Sequence, residues 1–142
     1  MNSHSKHILI GLLGYYLIMT ISCIIFTEPG TGIIGSRFDA FVFCTCVGWL
    51  VMIPGLLFPG IVIIAIFTVS HLKKYAVSPY LISTSLILYP IGINFARHVF
   101  GFFKKGGELW QPLLIAGISC FLGLIIDRYR ISRNDKRKRI AS

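Results

Sequence analysis

The residues best suited to chemistry in this chain lie in the stretch Tyr89-Pro90-Ile91-Gly92-Ile93-Asn94-Phe95-Ala96-Arg97-His98. Ser83, Pro90, Asn94, Arg97 and Gly101 recur at spacings that a helix of 3.6 residues per turn places along one face. A charge at membrane depth is costly, and it is kept where it faces protein, water or a partner. On a helix running to Phe103, Arg97 would lie about 9 Å inside the end. Two readings follow. In one, Asn94 and Arg97 line an interhelical polar face with Ser83, taking an anion or an acidic group of another protein. Glu28, Asp39 and Glu108 are then its nearest acidic candidates. In the other, Arg97 snorkels to the headgroups and Asn94 bonds a neighbouring helix. His98 is adjacent to Arg97 and so points elsewhere.

Other chemistries lack their parts. A nucleophile in Ser83-Thr84-Ser85 would need a base, and no Asp or Glu falls inside the long apolar runs. The same absence disfavours a proton-driven carrier, which relies on intramembrane carboxylates. His4, His7, His71 and His98 are scattered, and Cys44-x-Cys46 is too short for a redox CxxC. All four cysteines, Cys23, Cys44, Cys46 and Cys120, lie in apolar runs, where buried thiols pack as small hydrophobes. Gly30, Gly32 and Gly35 match the spacing of a dinucleotide fingerprint but lack the strand it requires. The expectation is no catalytic residue, no metal and no cofactor.

The elements that position these residues are set by hydropathy. The chain has 142 residues, 55% hydrophobic and only 13% charged. Residues 8–27, 40–70, 75–96 and 109–126 carry no charge. A helix needs roughly 20 apolar residues to cross the hydrocarbon core, and barrel alternation is absent. The fold class expected is an all-α integral membrane protein, a compact bundle of four transmembrane helices over about 7–26, 41–69, 79–103 and 110–126. Residues 1–127 form the transmembrane domain and 128–142 a basic tail. The first helix resembles a signal sequence but is read as retained, because further spans follow. The second is expected to be long and proline-kinked, with Pro54, Gly55, Pro59 and Gly60 as hinge candidates and Pro90 as another in the third. Its alternative is one crossing joined to an interfacial or re-entrant piece. Ala116, Ser119, Cys120 and Gly123 form a small-residue stripe that permits close helix approach, within the bundle or between copies.

Orientation follows from Lys and Arg placement. Lys6, Lys73 and Lys74 lie on one side with Arg128, Arg130, Arg133, Lys136, Arg137, Lys138 and Arg139. Arg37, Lys104 and Lys105 lie on the other. This bias puts both termini in the cytoplasm, in keeping with a bacterial inner membrane. The net charge of +9 then reflects topology and attraction to anionic headgroups, with no nucleic-acid module. The function expected is binding of a membrane-associated protein partner, as an accessory, regulatory or toxin-immunity protein. The immunity idea rests on size, short loops and topology, without a residue motif. The alternative is a small homo-oligomeric transporter or channel for an anionic solute.

Overall fold

The computed structural model describes residues 2–26, 36–46, 53–73, 77–101 and 108–141. They form α1 (Ser3–Phe26), α2 (Arg37–Cys46), α3 (Leu57–Leu72), α4 (Tyr80–Val99) and α5 (Trp110–Ala141). Away from water, each backbone N–H and C=O must find a partner within the protein, and a helix does this within its own segment. Leu13, Leu17, Ile21 and Ile25 of α1, Ile61 and Ile64 of α3, and Ile118, Phe121 and Ile125 of α5 all point outward. Ile64 keeps 68% of its surface. A soluble monomer rarely exposes even one apolar patch of more than a few hundred Å². Among the described residues, Ser3–Ile25, Ile53–Leu72 and Trp110–Lys136 are long and apolar enough to cross a membrane. The chain is a multi-pass, all-α membrane protein.

α4 sits at the centre, packed on α1, α3 and α5, while α1 also meets α2 and α3 also meets α5. Its 20 residues reach about 30 Å at 1.5 Å per residue. Leu81 and Tyr89 within it are 0% exposed, and the Tyr89 ring stacks on Tyr15 of α1 at 6.3 Å between centroids. Close approach explains this centrality. A Cβ built on Gly11 of α1 would lie 3.1 Å from the Ser83 Cα and 2.8 Å from a Leu86 methyl.

Four features differ from the sequence expectations. The helix expected over 41–69 begins earlier, at Arg37, and is interrupted at Leu56. α2 begins at Arg37, where the Ser36 amide and hydroxyl both donate to Asp39 Oδ2 at 2.8 Å and the Asp39 amide donates back to Ser36 Oγ at 3.2 Å. This is a reciprocal capping box. The 10 residues of α2 extend about 15 Å. Residues 53–55 are helical, Leu56 is a turn residue whose amide reaches back to the Ile53 carbonyl at 3.0 Å, and α3 follows. Residues 47–52 lie outside the described residues.

Second, α4 ends at Val99 rather than near Phe103, because Gly101 takes a left-handed φ of 66° that stops a helix. Third, α5 does not end near Ile126. It continues for 32 residues to Ala141, about 48 Å, so its last turns extend beyond a 30 Å hydrocarbon layer. Fourth, Cys23 is disulfide-bonded, which corrects the reading of it as a buried free thiol. Cys46 and Cys120 are outside any disulfide, the first exposed and the second buried.

Candidate functional site

The polar residues expected along one face of α4 are divided between several neighbours. Near its start, Ser83 is buried; its hydroxyl lies 3.3 Å from His7 Nδ1 of α1 and donates to the Tyr80 carbonyl at 3.0 Å. About three turns later, Asn94 Nδ2 donates to Ser22 Oγ of α1 at 2.8 Å and to the Pro90 carbonyl at 2.8 Å. Ser83 and Asn94 thus pin α4 to α1 at two heights. Such interhelical bonds are commonly worth about 1 kcal/mol in a membrane.

Arg97 is not brought to Asn94's partner. It is exposed in the last turn of α4, beside His98. With the helix ending at Val99, Arg97 lies about 3 Å from that end, where the helix dipole favours a cation. Among the described residues no hydrogen bond or ion pair engages Arg97. Asp39 is occupied by the α2 cap, Glu108 receives the indole N–H of Trp110, and Glu28 lies outside the described residues.

Sequence reasoning missed a second polar centre, at the opposite end of α4. Asp127 of α5 is only 4% exposed; its Oδ2 accepts the Ser78 amide at 3.2 Å, and its Oδ1 has no hydrogen-bond partner among the described residues. Asp127 thereby holds Ser78, which in turn accepts the first α4 amides, from Tyr80 on its hydroxyl at 3.2 Å and from Leu81 on its carbonyl at 3.1 Å. Asp127 directly follows the uncharged run 109–126, and the helical stretch Trp110–Lys136 continues through it. A signal was present. Asp127 continues the stripe Ala116, Ser119, Cys120 and Gly123 at helical spacing. That stripe is buried against α4, with a Cβ on Gly123 falling 2.8 Å from Ser85 Oγ and 3.1 Å from a Leu81 methyl.

Beside Asp127, three helices meet on Tyr80. The Arg130 guanidinium lies 3.3 Å above the centre of its ring, and the His7 ring approaches at 4.4 Å. Arg130, taken from the sequence as a lipid anchor, therefore has a specific protein contact. Tyr80 is 38% exposed, so the cation–π contact contributes about 0.5–1 kcal/mol. We expect Arg130→Gln to lower the unfolding free energy in detergent by about that amount. An effect equal to that of Arg133→Gln, at an exposed position one turn on, would contradict the contact.

The remaining sequence candidates are dispersed. Pro59 and Pro90 are fully buried, Pro54 is exposed, and Tyr15 packs against Gly55. Arg128 lines a groove between α3 and α5; Lys73, Arg133 and Lys136 are exposed. Lys74 and the side chains of Arg137, Lys138 and Arg139 lie outside what is described. Among the described residues no three His, Cys, Asp or Glu side chains gather at metal-binding distances. The larger cavities are lined almost entirely by apolar groups, including one of about 490 Å³ between α1 and α3 and one of about 520 Å³ between α4 and α5.

Fold and surface define the class as a small, multi-pass α-helical membrane protein. No family model, no curated protein and no solved structure matches the chain.

Proposed function

We propose that the protein acts by binding a membrane-associated protein partner, in an accessory, regulatory or toxin-immunity capacity, and that Arg97 meets an acidic group of that partner. The observation that carries this reading is the contrast within α4. Ser83 and Asn94 are used inside the bundle, whereas Arg97 is exposed and unengaged among the described residues. Phe95, Val99 and Phe100 towards the end of α4, and Leu109 and Trp110 at the start of α5, are also exposed. A cation amid apolar and aromatic side chains suits a partner that enters the bilayer edge and carries a carboxylate there.

In this proposal α1, the 53–72 segment, α4 and α5 are the four crossings, and both termini face the cytoplasm of a bacterial inner membrane. The disulfide at Cys23, near the far end of α1, supports that orientation, because disulfides persist on the oxidising side. Lys73 and the exposed basic residues of α5 then contact anionic headgroups on the cytoplasmic face.

The test is in-cell crosslinking with a photoreactive phenylalanine analogue in place of the exposed Phe100, one turn on from an intact Arg97, analysed by mass spectrometry. A discrete heterologous protein is expected, and Arg97→Ala should reduce its capture from a nearby probe position by roughly tenfold, as for loss of a desolvated charge pair. Asn94→Leu should act differently, loosening the α1–α4 contact first. Lipid adducts alone at position 100, with Arg97 intact, would defeat the proposal.

A further inference from the structure

We infer that the groove between α1 and α3 is a specific lipid site, holding one acyl chain of an anionic phospholipid from the leaflet on the amino-terminal side. α1 and α3 flank α4 without packing closely on each other, which leaves a trough of about 490 Å³. His4, Ile8 and Leu12 form one wall; α3 forms the other from Gly60 to Thr68; Ile82 and Leu86 of α4 form the floor. At its deep end Tyr15 closes on Gly55, where an added Cβ would come 2.7 Å from the phenol oxygen.

Dimensions select the occupant. From Thr68 to Leu56 the groove follows α3 for about 18 Å. One leaflet of hydrocarbon is about 15 Å deep, half of the core. A helix of that length and 10 Å diameter would displace about 1,400 Å³, far more than the trough holds. A single hydrocarbon chain matches both length and volume.

Charge selects the headgroup. His4 lies at the open end, with its ring edge-to-face on Phe67 at 6.3 Å between centroids. His71 is one turn beyond Phe67 and Thr68 on the same face of α3, and Lys73 follows at its end. Neither α1 nor α3 contains an acidic residue. A phosphodiester at the mouth would thus meet only cationic or hydrogen-bonding side chains from the two walls. The site lies at the other end of α4 from Arg97, so it stands or falls separately from the partner reading.

Gly60 provides the test, because a Cβ there meets nothing within 4 Å and points into open space. The full chain would be placed in phosphatidylcholine nanodiscs containing phosphatidylglycerol with a photoactivatable acyl chain, and adducts mapped by mass spectrometry. Adducts should concentrate on 56–68 and 82–86, fall several-fold in Gly60→Phe, and be competed by unlabelled phosphatidylglycerol better than by phosphatidylcholine. In the wild-type chain alone, adducts spread evenly over outward residues such as Phe121 and Ile125 would overturn the site. Equal competition by the two lipids would overturn its anionic selectivity, and a folded Gly60→Phe chain labelled like wild type would overturn the chain position.

Discussion

Gly11→Leu should unfold the bundle at markedly lower temperature than the wild-type protein, whereas Gly117→Leu should change it little. A Cβ at Gly11 meets the Leu86 Cδ1 at 2.8 Å, the Leu86 Cβ at 3.1 Å and the Ser83 Cα at 3.1 Å. The last two sit on or beside the α4 backbone and cannot rotate away, so α1 and α4 must separate. Overpacking of this kind costs about 1–3 kcal/mol, and parting the helices also strains the Ser22–Asn94 and His7–Ser83 bonds. Gly117, by contrast, has nothing within 4 Å of an added Cβ. There the gain in helix propensity over glycine, up to about 1 kcal/mol, meets no steric opposition. Reactivity of the buried Cys120 thiol during heating in detergent reports the transition. Equal midpoints for the two variants would mean that α1 and α4 do not approach as closely as described.

Asp127→Ala should be the most damaging loss of a polar group. It leaves the Ser78 amide, now paired with Oδ2 at 3.2 Å, without an acceptor at the amino-terminal end of α4. A hydrogen bond to a charged group contributes about 1.5–3 kcal/mol, and an orphaned buried donor retains its desolvation cost. Asp127→Asn keeps an acceptor oxygen and the side-chain shape, so its loss should be smaller. Unfolding in detergent measures both, and amide exchange at Ser78 should quicken in the alanine variant. Wild-type stability and unchanged exchange in Asp127→Ala would show that the acid does not hold the Ser78 turn that leads into α4. Together with Gly11, this residue tests the two seams on which the central helix depends, one against α1 and one against α5.

Membrane character was legible in the amino-acid sequence because it depends on local composition alone. Twenty or so apolar residues suffice to span hydrocarbon, whatever their neighbours, and α1, the 53–72 segment and α5 meet that condition one by one. Helix ends were written in the sequence too, but in backbone chemistry that hydropathy does not register. Ser36 and Asp39 start α2 by reciprocal bonds, and Gly101 ends α4 by its left-handed φ of 66°. The second of these moved Arg97 from an expected position inside the membrane to the last turn of its helix.

Partnership is where the sequence by itself stops. Asn94 and Ser22 are 72 residues apart, Ser83 and His7 are 76, and Asp127 and Ser78 are 49. Helical periodicity places Ser83, Asn94 and Arg97 along one side of a helix, but it does not say which neighbour that side meets or where the contact stops. Those questions are settled by how closely two backbones can approach. Gly11 admits α1 to α4 and Gly123 admits α5, and only the docked helices decide that Asn94 is satisfied while Arg97, three residues on, projects from the bundle.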